Sequence, residues 1–325
     1  MNVSGPQPAD EATPLVVVAP DSLPIMHEAL VAAVERAGAR VARTEAERRA
    51  ATALVFADPK AAAAFPDVIA DLDALRWVQL PYAGVETFLE HLDPQYFWTC
   101  AKGVYAAPVA EHVLTSMLVG LRDFHRYARE DHWSAQTGSN LLGAHVTVLG
   151  AGGITEALLP MLAPFGCRTT VVRRQATPLE GADATVATAD VLDAVADADV
   201  VVIAWALTDE TRGLVDARFL DAMPDHAWLV NVGRGGHVVT DDLVEALRER
   251  RIGGAVLDVT DPEPLPDGHP LWDLPNCLIT PHVGNTPDMG RPLLAARVEE
   301  NVRRYLAAGG GTDDLLGKVD LDARY

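Results

Sequence analysis

The sequence predicts an α/β protein of two domains, each built on a parallel sheet. Three observations carry that expectation. At 325 residues the chain is long for one domain, and its 49% hydrophobic content supplies a sizeable core. Short apolar runs alternate with helical patterns through both halves, which is how βαβ units read in sequence. The stretch 145–155, HVTVLGAGGIT, runs from strand through glycine turn to helix, the context in which a glycine pattern binds a dinucleotide.

Taken in order, residues 1–13 are rich in Pro, Ala and acids and read as a loose tail. LVVVA at 15–19 is the first strand, and 25–37 is a helix ended by Gly38. Apolar runs at 53–57, 77–80 and 97–101 complete a small sheet. The turn Pro81-Tyr82-Ala83-Gly84-Val85 directly follows a strand, where an open α/β sheet places its ligand crevice; a plain tight turn fits the spacing equally well. Residues 108–122 form a long helix, with Pro108 tolerated in its first turn and Val109, Val113, Met117 and Leu121 near helical spacing. Glu111 and His112 are adjacent and so splay to different faces. With no HExxH spacing, no metal site is expected, and the pair is read as positioning the helix, with catalysis the alternative.

After Gly143 a second, longer series begins, with strands at 146–149, 169–172, 200–204, 228–232, 255–259 and 278–280. Six such runs with helical spacers are what a doubly wound dinucleotide domain needs. No low-complexity linker divides the chain, so the boundary is expected in a helix that crosses between domains. Residues 291–306 form a last amphipathic helix, and 309–325 read as a tail.

Within the glycine turn, Gly150 permits the sharp reversal and Gly152 lacks the Cβ that would hold a pyrophosphate away. Gly153 and Ile154 lead into Glu156–Leu162, which reads as the first turns of a helix whose starting N–H groups meet the phosphate charge. Thr155 occupies the place of the third glycine, which concerns helix–strand packing more than phosphate binding. The alternative is an ordinary glycine-rich βα turn. The second strand of this series runs out into Arg173-Arg174, with no acid before Glu180. Two guanidiniums there favour NADP over NAD, since each can pair with a 2′-phosphate; otherwise they are solvated arginines capping a strand.

A net charge of −20, from 46 acids against 26 bases, repels nucleic acid and anionic membrane. An anionic substrate therefore needs locally placed arginines. Cys100, Cys167 and Cys277 are distant and odd in number, which fits a reduced, cytoplasmic protein. No apolar run approaches a membrane span, and the N-terminus lacks a signal-peptide pattern.

Three strand ends carry chemistry. Arg234 follows a strand in NVGRG, Asp258 ends another with Glu263 close behind in DPEP, and His282 ends the last in TPHVG. A parallel sheet brings all three ends to one edge, so the set points to function more strongly than its members. Taken singly, each has a structural reading: a turn cap, a rigid surface acid, a core histidine.

These stretches resemble the D-isomer-specific 2-hydroxyacid dehydrogenases: PVAEHV (108–113), VLGAGGI (148–154), ALTDETRGLVD (206–216), NVGRGGHVVTDDLVEAL (231–247), AVLDVTDPEPLP (255–266) and PLWDLPNCLITPHVGN (270–285). The resemblance implies two Rossmann-like domains. A doubly wound, parallel-sheet NAD(P)-binding domain (108–285) would be inserted in a smaller, flavodoxin-like substrate domain (1–107 with 286–325), with dimerisation through the cofactor domains. It further implies hydride transfer between NAD(P)H and a small anionic 2-keto or D-2-hydroxy acid, in the manner of hydroxypyruvate/glyoxylate reductases or phosphoglycerate dehydrogenases. His282 would be the acid/base, Glu263 would fix its ring, and Arg234 would grip the substrate carboxylate. Asp258 and Gly284 would lie on the nicotinamide side, while Ala206, Leu207, Thr208, Val232 and Gly233 would line the nicotinamide ribose. Tyr82, Ala83 and Gly84 would offer N–H groups to the substrate, with Tyr82 and Trp133 candidates for shaping its pocket. Relatives that oxidise formate place glutamine where Glu263 stands, which argues against formate here. A nucleotide-sensing scaffold, similar to the co-repressor relatives, is the competing class.

Overall fold

The computed structural model describes residues 13–322, so most of the expected N-terminal tail lies outside the described residues. Two compact units emerge: residues up to Tyr105 with those from Pro287 onward, and Ala106–Thr286.

In the first unit, in chain order, are β1 (Leu15–Ala19), α1 (Pro24–Arg36), β2 (Arg40–Val41), α2 (Glu45–Ala50), β3 (Ala53–Phe56), α3 (Phe65–Ile69), β4 (Trp77–Gln79) and β5 (Phe97–Thr99). All strands pair in parallel in the order β2-β1-β3-β4-β5, the flavodoxin-like arrangement. Alternation within β1 explains the two layers. Val16 and Val18 face a cluster with Leu30 and Val34 of α1, while Val17 faces the opposite cluster with Phe56, Phe65 and Trp98. Edge strand β2 is not visible in the sequence because it is two residues long and half-buried.

The second unit holds α4 (Ala106–Leu121), α5 (Phe124–Tyr127), β6 (His145–Leu149), α6 (Gly153–Leu162), β7 (Arg168–Arg173), β8 (Ala184–Ala187), α7 (Val191–Val195), β9 (Val200–Ile203), α8 (Ala217–Ala222), β10 (Trp228–Asn231), α9 (Thr240–Arg248), β11 (Gly254–Leu257) and β12 (Cys277–Ile279). Its seven strands run in the order β12-β11-β10-β9-β6-β7-β8. This doubly wound sheet reverses between β6 and β9, and the glycine turn leaves β6 at that switch point. Strands β6, β9 and β10 are buried throughout, which is why they read as continuous apolar runs. Seven strands stand where six were expected. The addition is β8, an edge strand that is partly exposed along its length and carries little apolar signal.

In the first unit the chain closes with α10 (Pro287–Ala307), which starts a turn before the sequence pattern suggested. Residues 309–322 are not a tail, a correction to the expectation above. Leu315 and Val319 are buried at 6% and 3% exposure, and the Val319 and Cys100 N–H groups donate to Trp98 O and Gly317 O at 3.0 and 2.7 Å. Leu315 and Val319, with Leu321 packed on the same core as Val319, dock the segment beside β5, a pattern too irregular to show in sequence. Residues 323–325 lie outside the described residues.

Candidate active site

At the switch point Gly150 has φ +121°, and a Cβ there would fall 2.6 Å from Ala204 O. Only glycine turns the chain so closely over β9. Gly152 differs: it caps α6 from an extended conformation, nothing lies within 4 Å of its missing Cβ, and no side chain caps the helix. The first N–H groups of α6 have no intrahelical acceptor, and the space beside Gly152 leaves room for an anionic pyrophosphate. Thr155 is fully buried, and its hydroxyl donates to Gly150 O at 2.8 Å. The residue in the third glycine position thus ties the first helical turn to the reversal before it, and packing is satisfied.

Gly150 N–H donates to Val172 O at 2.8 Å, so β7 ends beside the turn and delivers Arg173 and Arg174 to it. Arg173 is half-buried and bonds Thr177 O at 3.3 Å; Arg174 is exposed. After β9, the Ala206-Leu207-Thr208 loop is fastened by Thr211, whose hydroxyl donates to Ala206 O at 2.8 Å and accepts from Thr208 N–H at 2.9 Å.

Past β10, buried Asn231 latches the next loop. Its amide oxygen accepts from Gly233 N–H at 3.1 Å, and its amide nitrogen donates to Arg234 O at 3.0 Å. Val232 is 8% exposed, and Arg234 is half-buried with Nη1 donating to Gly233 O at 2.8 Å. Behind it lies His237, fully buried, with Nδ1 3.2 Å from Arg234 N and 2.9 Å from Arg234 O. Burial pushes this imidazole below its ordinary pKa, opposed by backbone contacts from Ala206 and Arg234. Its Nε2 is buried and makes no hydrogen bond with the described residues. Gly235 lets the loop press onto the segment after β11, since a Cβ would meet Thr260 O at 1.9 Å.

Glu263 follows β11 and His282 follows β12, and Glu263 Oε1 lies 2.6 Å from His282 Nδ1. Their side chains are 40% and 51% exposed, so the pair stands at an accessible edge. With Nδ1–H donating to the carboxylate, Nε2 is the ring nitrogen left to exchange a proton. Strands β10, β11 and β12 are neighbours, so Arg234, Glu263 and His282 emerge along one carboxyl edge. Asp258 is 5% exposed and turned into the protein, where it holds Thr280, Val283 and Gly284. In the first unit, Tyr82, Ala83 and Gly84 form an exposed turn after β4, anchored by Val85 at 1% exposure. Trp133 is 94% exposed. The sequence reading missed the supports: Asn231, His237 and Thr280 are ordinary in sequence, and only their burial reveals them. All three cysteines are unpaired, and burial pushes the Cys277 thiol up to about 12, which removes it as a nucleophile.

A doubly wound domain with a phosphate-accepting turn at its switch point and an imidazole–carboxylate pair at the same sheet edge defines a nicotinamide-dependent oxidoreductase. The chain belongs to the D-isomer-specific 2-hydroxyacid dehydrogenase family, whose NAD-binding domain matches residues 112–284, more than half of the chain. It moves hydride between NAD(P)H and 2-keto or 2-hydroxy acids. An uncharacterized protein of Corynebacterium melassecola is 38% identical over 269 residues, 80% of this chain and 86% of that one. Human glyoxylate reductase/hydroxypyruvate reductase is 37% identical over 166 residues, 51% of each chain. Among solved structures, a D-isomer-specific 2-hydroxyacid dehydrogenase from Xanthobacter autotrophicus in complex with NADPH and MES is 29% identical, with a TM-score of 0.79 over 96% of this chain and 100% of that one. The NADPH-dependent glyoxylate/hydroxypyruvate reductase of Sinorhizobium meliloti, in complex with NADP and sulfate, is 26% identical, with a TM-score of 0.76 over 96% and 100%. Among the described residues no helix is long and apolar enough to cross a membrane.

Proposed function

We propose that the protein is a reductase of small 2-keto acids, with glyoxylate and hydroxypyruvate the first candidates and NADPH the preferred donor. The observation that carries the residue roles is the 2.6 Å contact between Glu263 and His282 at the edge that also bears Arg234. When bound, the nicotinamide supplies the hydride. His282 Nε2 gives its proton to the ketone oxygen, and in the reverse direction takes it from the hydroxyl. Glu263 holds the ring in orientation through Nδ1. Arg234 grips the substrate carboxylate, giving an acidic protein a local anion site. Gly150, Gly152 and the start of α6 hold the pyrophosphate, and Arg173 and Arg174 the 2′-phosphate. Support for NADPH comes from that arginine pair at the end of β7 and from the NADPH- and NADP-bound structural neighbours. The unit Ala106–Thr286 is the cofactor-binding domain and the remainder the substrate domain, in a cytoplasmic homodimer joined through the cofactor domains.

A panel of 2-keto acids assayed with NADPH and NADH tests this reading. The expected result is NADPH oxidation with glyoxylate or hydroxypyruvate, and its collapse in His282→Ala with NADPH affinity preserved. Background turnover across the panel refutes it, as does equal loss of turnover and cofactor affinity in that variant. Light scattering checks the dimer.

A further inference from the structure

We infer that His112, on α4, is a positioning residue for the reaction: it braces buried Asp258, which holds the backbone of the loop carrying His282. This rests on the proposed acid/base role of His282. The loop is held at that residue and at the two that follow it. His282 N–H donates to Asp258 O at 2.9 Å, while Val283 and Gly284 N–H donate to Asp258 Oδ1 and Oδ2 at 2.8 and 2.9 Å. His282 itself has φ +55°, a left-handed conformation that a non-glycine residue keeps only when its surroundings impose it. Asp258 is the group that imposes it.

His112 completes the support from the other side. Thr280 has one hydroxyl proton and donates it to Asp258 Oδ1 at 2.6 Å. Toward His112 Nε2, 3.3 Å away, its oxygen can therefore only accept, so Nε2 of His112 carries the hydrogen. That N–H also faces Asp258 Oδ1 at 3.5 Å. The carboxylate is thus surrounded by donors from α4, from Thr280 and from the loop. Gly284 allows this closeness: a Cβ there would lie 3.0 Å from Asp258 Oδ2 and 3.6 Å from His112 Cδ2. A side chain would lift the loop, and His282 with it, from α4. The buried side of this loop is therefore built to fix an imidazole whose other partner, Glu263, is half-exposed.

Two substitutions separate the N–H from the bulk of the ring. Glutamine places an amide N–H near the position of Nε2, whereas leucine fills the space without a donor. The expected result for His112→Leu is a fall in kcat of about 10- to 100-fold, the cost of a small displacement of a catalytic group, with NADPH Kd changed less than about threefold. His112→Gln should restore most of kcat. Unchanged kcat in His112→Leu overturns the inference, as do equal losses in both variants or a loss matched by weaker NADPH binding. If the leucine variant does not fold, His112→Asn replaces it: its amide is too short to reach, so kcat well below that of His112→Gln supports the inference, and equality overturns it. His282→Ala run alongside tells the two readings apart. If that variant stays active the acid/base role fails; if it is inactive while His112→Leu is normal, only the positioning role fails.

Discussion

The same substitution placed two residues apart in the glycine turn should have opposite consequences. At Gly150 a methyl group enters a backbone with φ +121° and approaches Ala204 O to 2.6 Å. The strained conformation costs about 1–3 kcal/mol and the overpacking about 1–3 kcal/mol more, so Gly150→Ala should lose roughly 2–6 kcal/mol of stability. At Gly152, φ is −93° and nothing lies within 4 Å of the added methyl. There the gain from a stiffer unfolded chain, about 0.4–1 kcal/mol, is offset by alanine being the poorer helix cap, so the net change should stay within about 1 kcal/mol. The open space at Gly152 is what a pyrophosphate would fill, so Gly152→Ala should weaken NADPH binding by about tenfold or more, 1.4 kcal/mol per decade. Urea denaturation of the apoprotein and fluorescence titration with NADPH read the two effects separately. Equal stability losses would refute the reasoning about the turn. A Gly152→Ala protein that binds NADPH normally would refute the placement of the phosphate.

Glu263→Ala should cut kcat by about 10- to 100-fold, a share of the roughly 10²–10⁴ that positioned acid–base catalysis supplies, while stability falls by less than about 1 kcal/mol because both partners are well exposed; a kcat within threefold of the parent would remove the role assigned to it. Arg173→Ala with Arg174→Ala should weaken NADPH by about tenfold or more and leave NADH nearly unchanged, with the difference shrinking at high salt; isothermal titration with both cofactors decides it. His237 adds a pH dependence. Burial lowers its folded-state pKa, so above 6.5 both states are neutral, whereas below it the unfolded chain takes up a proton first and stability falls toward acid by at most about 1.4 kcal/mol per pH unit. His237→Gln should flatten that slope in denaturation curves between pH 7 and 5, and an unchanged slope would place its origin elsewhere.

The legibility of this chain follows burial. Central strands such as β9, VVVI, are buried throughout, and so their position was clear from hydrophobic runs alone. β2 is two half-buried residues and β8 is partly exposed along its length, so neither leaves an apolar run in the sequence. The docked segment around Leu315 and Val319 reads as a tail in sequence because two buried residues make no period. At the site, Arg234, Glu263 and His282 were visible because strand ends in a parallel sheet share an edge. Their supports were not. Asn231, His237 and Thr280 act through hydrogen bonds whose partners depend on how loops fold back, and spacing carries no trace of that. The sequence poses Thr155 as a packing question, and its answer, a hydroxyl returning to Gly150 O, is tertiary.

By itself the sequence determined the two parallel sheets, the glycine turn and the strand ends at which Arg234, Glu263 and His282 stand, because hydrophobic period and backbone permissiveness are local properties. Only the tertiary structure decided that Asp258 faces inward to hold the His282 loop and that His112 stands behind it. Residues 112, 258 and 282 are distant along the chain, and buried hydrogen bonds are settled by which polar groups the packed core leaves facing one another.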